Sequence, residues 1–134
     1  LIIYISIFAC ILAYISYTDI RFRTIGNIEV VLCLVMVLLG HLIFGLKLNF
    51  IALAISFAIG LVVYKLGFMA AGDVKLFSVL VLLVKSEFIG GFLLIMSLIG
   101  ALLAIIIIIF NRKKDGVPYG VAIAISFFTV LIYT

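Results

Sequence analysis

Charge is what this sequence holds least of. Lys, Arg, Asp and Glu make up 10% of its 134 residues, while 69% are hydrophobic and the mean hydropathy is +1.64. A soluble fold of this size must cover itself with polar groups, and there are too few here to do so. A water-soluble globular domain is therefore excluded, and lipid is the solvent that suits the chain. Its length fits a single membrane-embedded domain over residues 1–134. Basic residues outnumber acidic ones, nine to five, but they are sparse and separated by long apolar runs. That argues against nucleic acid as a partner and reads as topology signals instead. Histidine occurs once, at His41, and cysteine twice, at Cys10 and Cys33, with no C-x-x-C pair. No metal site, disulfide framework or cofactor is expected, and no Ser-His-Asp set is available. Each cysteine sits inside an apolar run and reads as a buried free thiol. His41 reads as an interfacial polar residue toward the outer face.

What the sequence does have is apolar runs. Cut by charges and glycines, they predict six helices, roughly 1–18, 28–45, 49–66, 73–86, 88–110 and 118–134. The expected fold class is an all-α membrane protein, a bundle of about six transmembrane helices. A span needs about 17–25 residues, so the fourth helix is short. The fifth, with Ile105 to Ile109, is the most purely apolar and is expected to face lipid. The N-terminal run Leu1 to Tyr17 lacks a basic leader and a small-residue cleavage site, so it reads as a retained span.

Charge asymmetry fixes the expected orientation. The loops at 19–27, 66–73 and 111–117, with their flanks, carry Arg21, Arg23, Lys65, Lys75, Arg112, Lys113 and Lys114, seven of the nine basic residues. Lys47 and Lys85 fall on the other side. The basic side should be cytoplasmic, with both termini outside the inner membrane. Tyr17, Tyr64 and Tyr119 near one edge, and Tyr4 and Tyr133 near the other, agree with an aromatic belt.

Of the five acidic residues, Glu87 and Asp115 read as solvated loop charges, and Glu29 suits the positive end of the second helix. Asp19 is harder to explain. It ends the first helix, where the macrodipole disfavours a carboxylate, although Arg21 and Arg23 could neutralise it. Asp73 follows Gly72 at the start of the fourth helix and could be an ordinary N-cap. Ionisable groups at membrane depth are costly, and these two share one membrane edge. A pairing of the first and fourth helices could bring them together. Two close carboxyls cannot both ionise easily, so they share a proton, and one can activate water while the other protonates a peptide carbonyl. The helix ends suggest Asp19 as the proton-bearing acid and Asp73 as the base. The competing reading of two membrane aspartates is a small proton- or cation-coupled transporter, but both lie at an edge and no broken-helix repeat is present.

The sequence around these residues resembles the type IV prepilin peptidases. Tyr17-Thr18-Asp19-Ile20-Arg21-Phe22-Arg23-Thr24-Ile25-Gly26-Asn27 is similar to the family's first motif, an aspartate followed by basic residues and Ile-Pro-Asn. Met69-Ala70-Ala71-Gly72-Asp73-Val74-Lys75-Leu76 resembles its Gly-x-Gly-Asp segment with Val-Lys-Leu following. Gly116-Val117-Pro118-Tyr119-Gly120-Val121-Ala122 is similar to the Pro-Tyr-Gly-Pro-Ala segment that opens the last helix. Ala70, Gly26 and Val121 depart from a glycine and two prolines; Gly26 is expected to loosen the turn after Asp19.

The resemblance implies an aspartic endopeptidase with Asp19 and Asp73 as the catalytic pair. Its substrate would be a prepilin- or preflagellin-like protein, cut at the cytoplasmic membrane edge within the lipid bilayer. The paired C-x-x-C insert of larger members is not present, which implies no N-methyltransferase activity and likeness to the short Flp-type and archaeal enzymes. Supporting roles carry over to Gly72, Lys75, Arg21, Arg23, Asn27 and Pro118. Each also has a plainer reading. Gly72 suits close packing, Lys75 snorkelling, and the arginines and Asn27 topology, while Pro118 fits a first helical turn.

Overall fold

Where there is no water to bond to, backbone N–H and C=O groups must satisfy one another within the segment, and a helix does this. The computed structural model describes residues 1–22, 25–110 and 119–133. Among them are six helices and no strand: α1 (Ile2–Phe22), α2 (Asn27–Phe44), α3 (Phe50–Lys65), α4 (Ala71–Val81), α5 (Ser86–Ile109) and α6 (Tyr119–Tyr133). Three of them, α1, α2 and α5, are long and apolar enough to cross a membrane, while α3 and α6 are shorter apolar helices. The protein is an all-helical membrane protein.

Local chemistry sets the helix ends. Gly45 takes a left-handed φ of 66°, which only glycine adopts without strain, and its N–H donates to the His41 carbonyl. His41 sits exposed in that last turn, its Nδ1 donating to Leu46 O at 2.7 Å. Asn49 caps α3, its side chain accepting the Ala52 N–H at 3.1 Å.

The fourth helix departs from expectation. It runs 71–81, not 73–86, and its 11 residues span roughly 16 Å, about half a bilayer core. Residues Leu82–Val84 are buried but wind into turns with i→i−3 hydrogen bonds. Asn49 catches the carbonyls that this leaves over: its N–H donates to Leu82 O at 2.8 Å and its Nδ2 to Val84 O at 3.3 Å. A buried helix end without such partners would be costly. The apolar run Val79–Val84 carries no stop signal of its own, so its period could not reveal the break.

Packing places α1 and α4 across from each other. Both lie against α2 and against α6, with little direct contact between them, while α3 backs α4 and α5 backs α6. The anticipated direct pairing of the first and fourth helices is thus replaced by two shared neighbours. The core is aromatic: Phe8 of α1, Phe92 of α5 and Phe127 of α6 are fully buried. Phe8 and Phe127 lie 5.4 Å apart, and Phe77 of α4 stacks on Phe92 at 5.1 Å. Cys33 is buried as expected, but Cys10 is exposed, because α1 turns it toward a groove against α2. Of α5's side chains only Phe92 and Gly100 are buried, consistent with the lipid-facing expectation.

Candidate active site

Five polar or charged side chains are buried among the described residues: Thr18, Asp19, Asp73, Ser78 and Ser126. Three are hydroxyls that donate to their own helix, Thr18 to Ile15 O, Ser78 to Val74 O and Ser126 to Ala122 O. They are satisfied where they stand. The remaining two are Asp19, 4% exposed, and Asp73, 5% exposed. They are the only residues of charged type buried among those described, and burial of such groups demands a compensating arrangement.

Asp19 lies in the last turn of α1, which continues to Phe22. Its Oδ2 accepts the backbone N–H of Gly120, the second residue of α6, at 2.7 Å. Asp73 stands in the first turn of α4, but not as its cap. Ala70 is the N-cap, with extended φ and ψ of −75° and 156°, and Asp73 is the third helical residue. From there its carboxylate reaches back to the Ala70 backbone, the geometry of the acidic half of a capping box. The N-cap expectation is corrected by three positions, because Ala71 and Gly72 enter the helix. Burial chiefly, and the charge of Asp19 next, raise the Asp73 carboxyl from its ordinary range to about 7; the Ala70 hydrogen bond opposes this. Asp73 lies outside the helices long and apolar enough to cross a membrane, α4 having only 11 residues. The helix ends alone suggested Asp73 as the ionised base, whereas burial and its neighbour hold its carboxyl well above the ordinary range.

One connection packs between the two aspartate-bearing ends. A Cβ on Gly72 would lie 2.8 Å from the Ile25 carbonyl oxygen and 2.9 Å from Ile25 Cβ. A Cβ on Gly120 would lie 2.8 Å from Asp19 Oδ2 and 3.1 Å from Ile25 Cδ1. Ile25 therefore seats its backbone on α4 and its side chain on α6, where only glycine leaves room. Neither Ile25 nor Gly120 was singled out from sequence. Both lie in the quoted motifs, but an isoleucine among apolar residues carries no chemical signal, and a glycine reports only that space is short.

The supporting residues fare unevenly. Lys75 does not turn to Asp73; its Nζ donates to Asn27 Oδ1 at 3.0 Å, tying α4 to the first residue of α2. Arg21 is exposed, with its guanidinium 5.8 Å over the Phe22 ring. Arg23 and Pro118 lie outside the described residues, as does Asp115. Glu29 stands in the first turn of α2 as expected, with its carboxylate over Gly26. Gly26 has φ −74°, a value proline also adopts, so the glycine brings no special backbone conformation to this turn. Among the described residues no group of three or more His, Cys, Asp or Glu could hold a metal ion.

A family model described as the type IV leader peptidase family matches residues 6–105, which include both aspartates and the Gly72–Lys75 segment. The chain belongs to the type IV leader peptidase family. No curated protein and no solved structure matches it. Membership makes this leader peptidase a membrane-bound hydrolase of peptide bonds, in keeping with its apolar helices. The match ends before α6, so Gly120 and its contact with Asp19 lie beyond it.

Proposed function

We propose that this leader peptidase is an aspartic endopeptidase and that Asp19 and Asp73 are its catalytic pair. The observation that carries the reading is that the two buried residues of charged type are both carboxyls and are electrostatically coupled. Peptide hydrolysis without a metal or a nucleophilic side chain requires a base for water and an acid for the carbonyl oxygen. In the proposed cycle the Asp19 carboxylate takes a proton from water as its oxygen attacks the scissile carbonyl carbon. The Asp73 carboxyl gives its proton to the carbonyl oxygen. Collapse of the resulting diol breaks the C–N bond, and the departing amine takes a proton from the pair. Asp73 as the acid follows from its raised affinity for a proton.

The substrate class we infer is a prepilin- or preflagellin-like precursor, whose leader joins an apolar helix at the membrane surface. Arg21, Lys65 and Lys75 flank the same helix ends as the aspartates. On the positive-inside rule, this is the cytoplasmic face of the inner membrane.

The test is leader removal from a co-reconstituted precursor, with N-terminal sequencing of the product. Asp19→Asn and Asp73→Asn, which keep shape and remove the acid–base function, should each lower cleavage by at least about 10³-fold with membrane insertion preserved. Wild-type processing by either variant would exclude this pair.

A further inference from the structure

We infer that the backbone N–H of Gly120 is a positioning group for catalysis, fixing the carboxyl plane of Asp19, and that α6 is thereby part of the catalytic apparatus. This rests on the reading of Asp19 as catalytic. The first amides of any helix have no partner within it. In α6 one of them is spent on a side chain 101 residues away, across a buried 2.7 Å contact. A carboxyl's last torsion is broad and roughly two-fold, so a fixed donor on one oxygen narrows it. The Gly120 N–H is such a donor at Oδ2.

The approach is one that only glycine permits. A Cβ at 120 would meet Oδ2 at 2.8 Å and Cγ at 3.1 Å, so any side chain there would push the carboxyl off the amide. The donor is also the positive end of a helix, which suits a carboxyl that must carry charge when it activates water. Aromatic packing makes α6 a firm base for it: Phe127, fully buried, lies against Phe8 of α1 and Phe92 of α5. The Ala70 backbone of α4 favours the charged form of the other half, Asp73. Each aspartate is thus set by a different helix N-terminus, and their relative geometry depends on how α4 and α6 are spaced.

The decisive experiment replaces the Gly120 amide by an ester, through incorporation of glycolic acid at position 120 in the full-length chain. This replaces the N–H by an ester oxygen and leaves the rest of the residue unchanged. The expected result is a fall in kcat of at least about tenfold with KM within about twofold, since the lost contact acts on the reacting group and not on substrate binding. The carboxyl infrared bands that vanish in Asp19→Asn should be displaced in the ester variant. A wild-type kcat, or undisplaced bands, would overturn the inference. Gly120→Ala keeps the N–H but adds the methyl against Oδ2, and should lower kcat in the same way. Should the ester chain fail to fold, a wild-type kcat in Gly120→Ala overturns the proposal by itself. If wild-type enzyme cleaves no precursor at all, the catalytic reading beneath it falls instead. That outcome is distinct from cleavage that merely ignores position 120.

Discussion

Alanine at Gly72 tests whether the Ile25 connection governs the site or only fills space. The added methyl would lie 2.8 Å from the Ile25 carbonyl oxygen and 2.9 Å from Ile25 Cβ. Neither atom is the far end of a flexible side chain, so relief requires backbone movement. Ordinary carbon–carbon contact begins near ~3.5 Å, which asks for about 0.6 Å of displacement. Overpacking of this kind costs about 1–3 kcal/mol. Against it stands the gain of alanine over glycine in a helix, up to about 1 kcal/mol. Net destabilisation should therefore be roughly 0–2 kcal/mol, and the chain should still fold.

Activity is the more sensitive quantity. Ile25 bears on both α4 beside Asp73 and α6 beside Asp19, so displacing it changes the spacing of the pair. A misplacement of about 1 Å can cost about 100-fold in rate, and a shift near half that should cost about tenfold. The assay is single-turnover leader cleavage in proteoliposomes, beside thermal unfolding in the same detergent used for purification. Gly90→Ala is the control, because nothing lies within 4 Å of its added Cβ. It should keep full activity and gain slightly in stability. Wild-type cleavage by Gly72→Ala would refute the reasoning, whatever its melting temperature, because it would show that the Ile25 contact does not constrain the pair.

Two further outcomes are expected. Asp73 binds its proton more tightly in the folded protein than in the unfolded chain, so its stabilising contribution is complete below about pH 4 and is lost as pH rises through about 7. Thermal midpoints should fall across that window and flatten in Asp73→Asn; cleavage should fall above about pH 7 as the shared proton leaves. A wild-type midpoint independent of pH from 5 to 8 would contradict this. Lys75→Met and Asn27→Ala each delete one partner of the 3.0 Å contact between α4 and α2. Each should cost about 0.5 kcal/mol, the low end for an exposed hydrogen bond, and the double variant should cost no more than either alone. A KM rise confined to Lys75→Met would show instead that the lysine meets substrate.

What could be read beforehand follows from where the physics is local. Apolar runs bounded by charge specify membrane helices by themselves, and five of the six helix spans lie within a few residues of expectation. The exception, α4, ends through a contact with Asn49, a residue more than thirty positions away that is itself the cap of another helix. No local pattern announces that. The two aspartates were legible because a buried carboxyl is expensive wherever it occurs. The raised proton affinity of Asp73 was not, since it depends on burial and on Asp19 more than on its own helix end. Lys75 shows the same limit. Its own neighbourhood offered a supporting role or snorkelling, whereas the partner it meets, Asn27, is forty-eight positions away.

The proposed pair, sharing one proton, would still carry one negative charge, and a fold with few charged side chains must tolerate it. The arginine nearest in sequence does not supply the tolerance, since Arg21 is exposed over Phe22. Backbone groups contribute: the Gly120 N–H at the start of α6 bonds Asp19, and the Ala70 backbone at the start of α4 favours the charged form of Asp73. Helix N-termini are the cheapest fixed positive charge available where few side chains are charged, because the chain makes them simply by starting a helix. They also cannot swing away as lysine or arginine can. A protein with 10% charged residues can thus keep a carboxyl pair buried, provided two helices begin beside it. The short α4 meets that condition: it begins at Ala71, beside the buried pair, and ends after 11 residues, where Asn49 takes up the Leu82 and Val84 carbonyls.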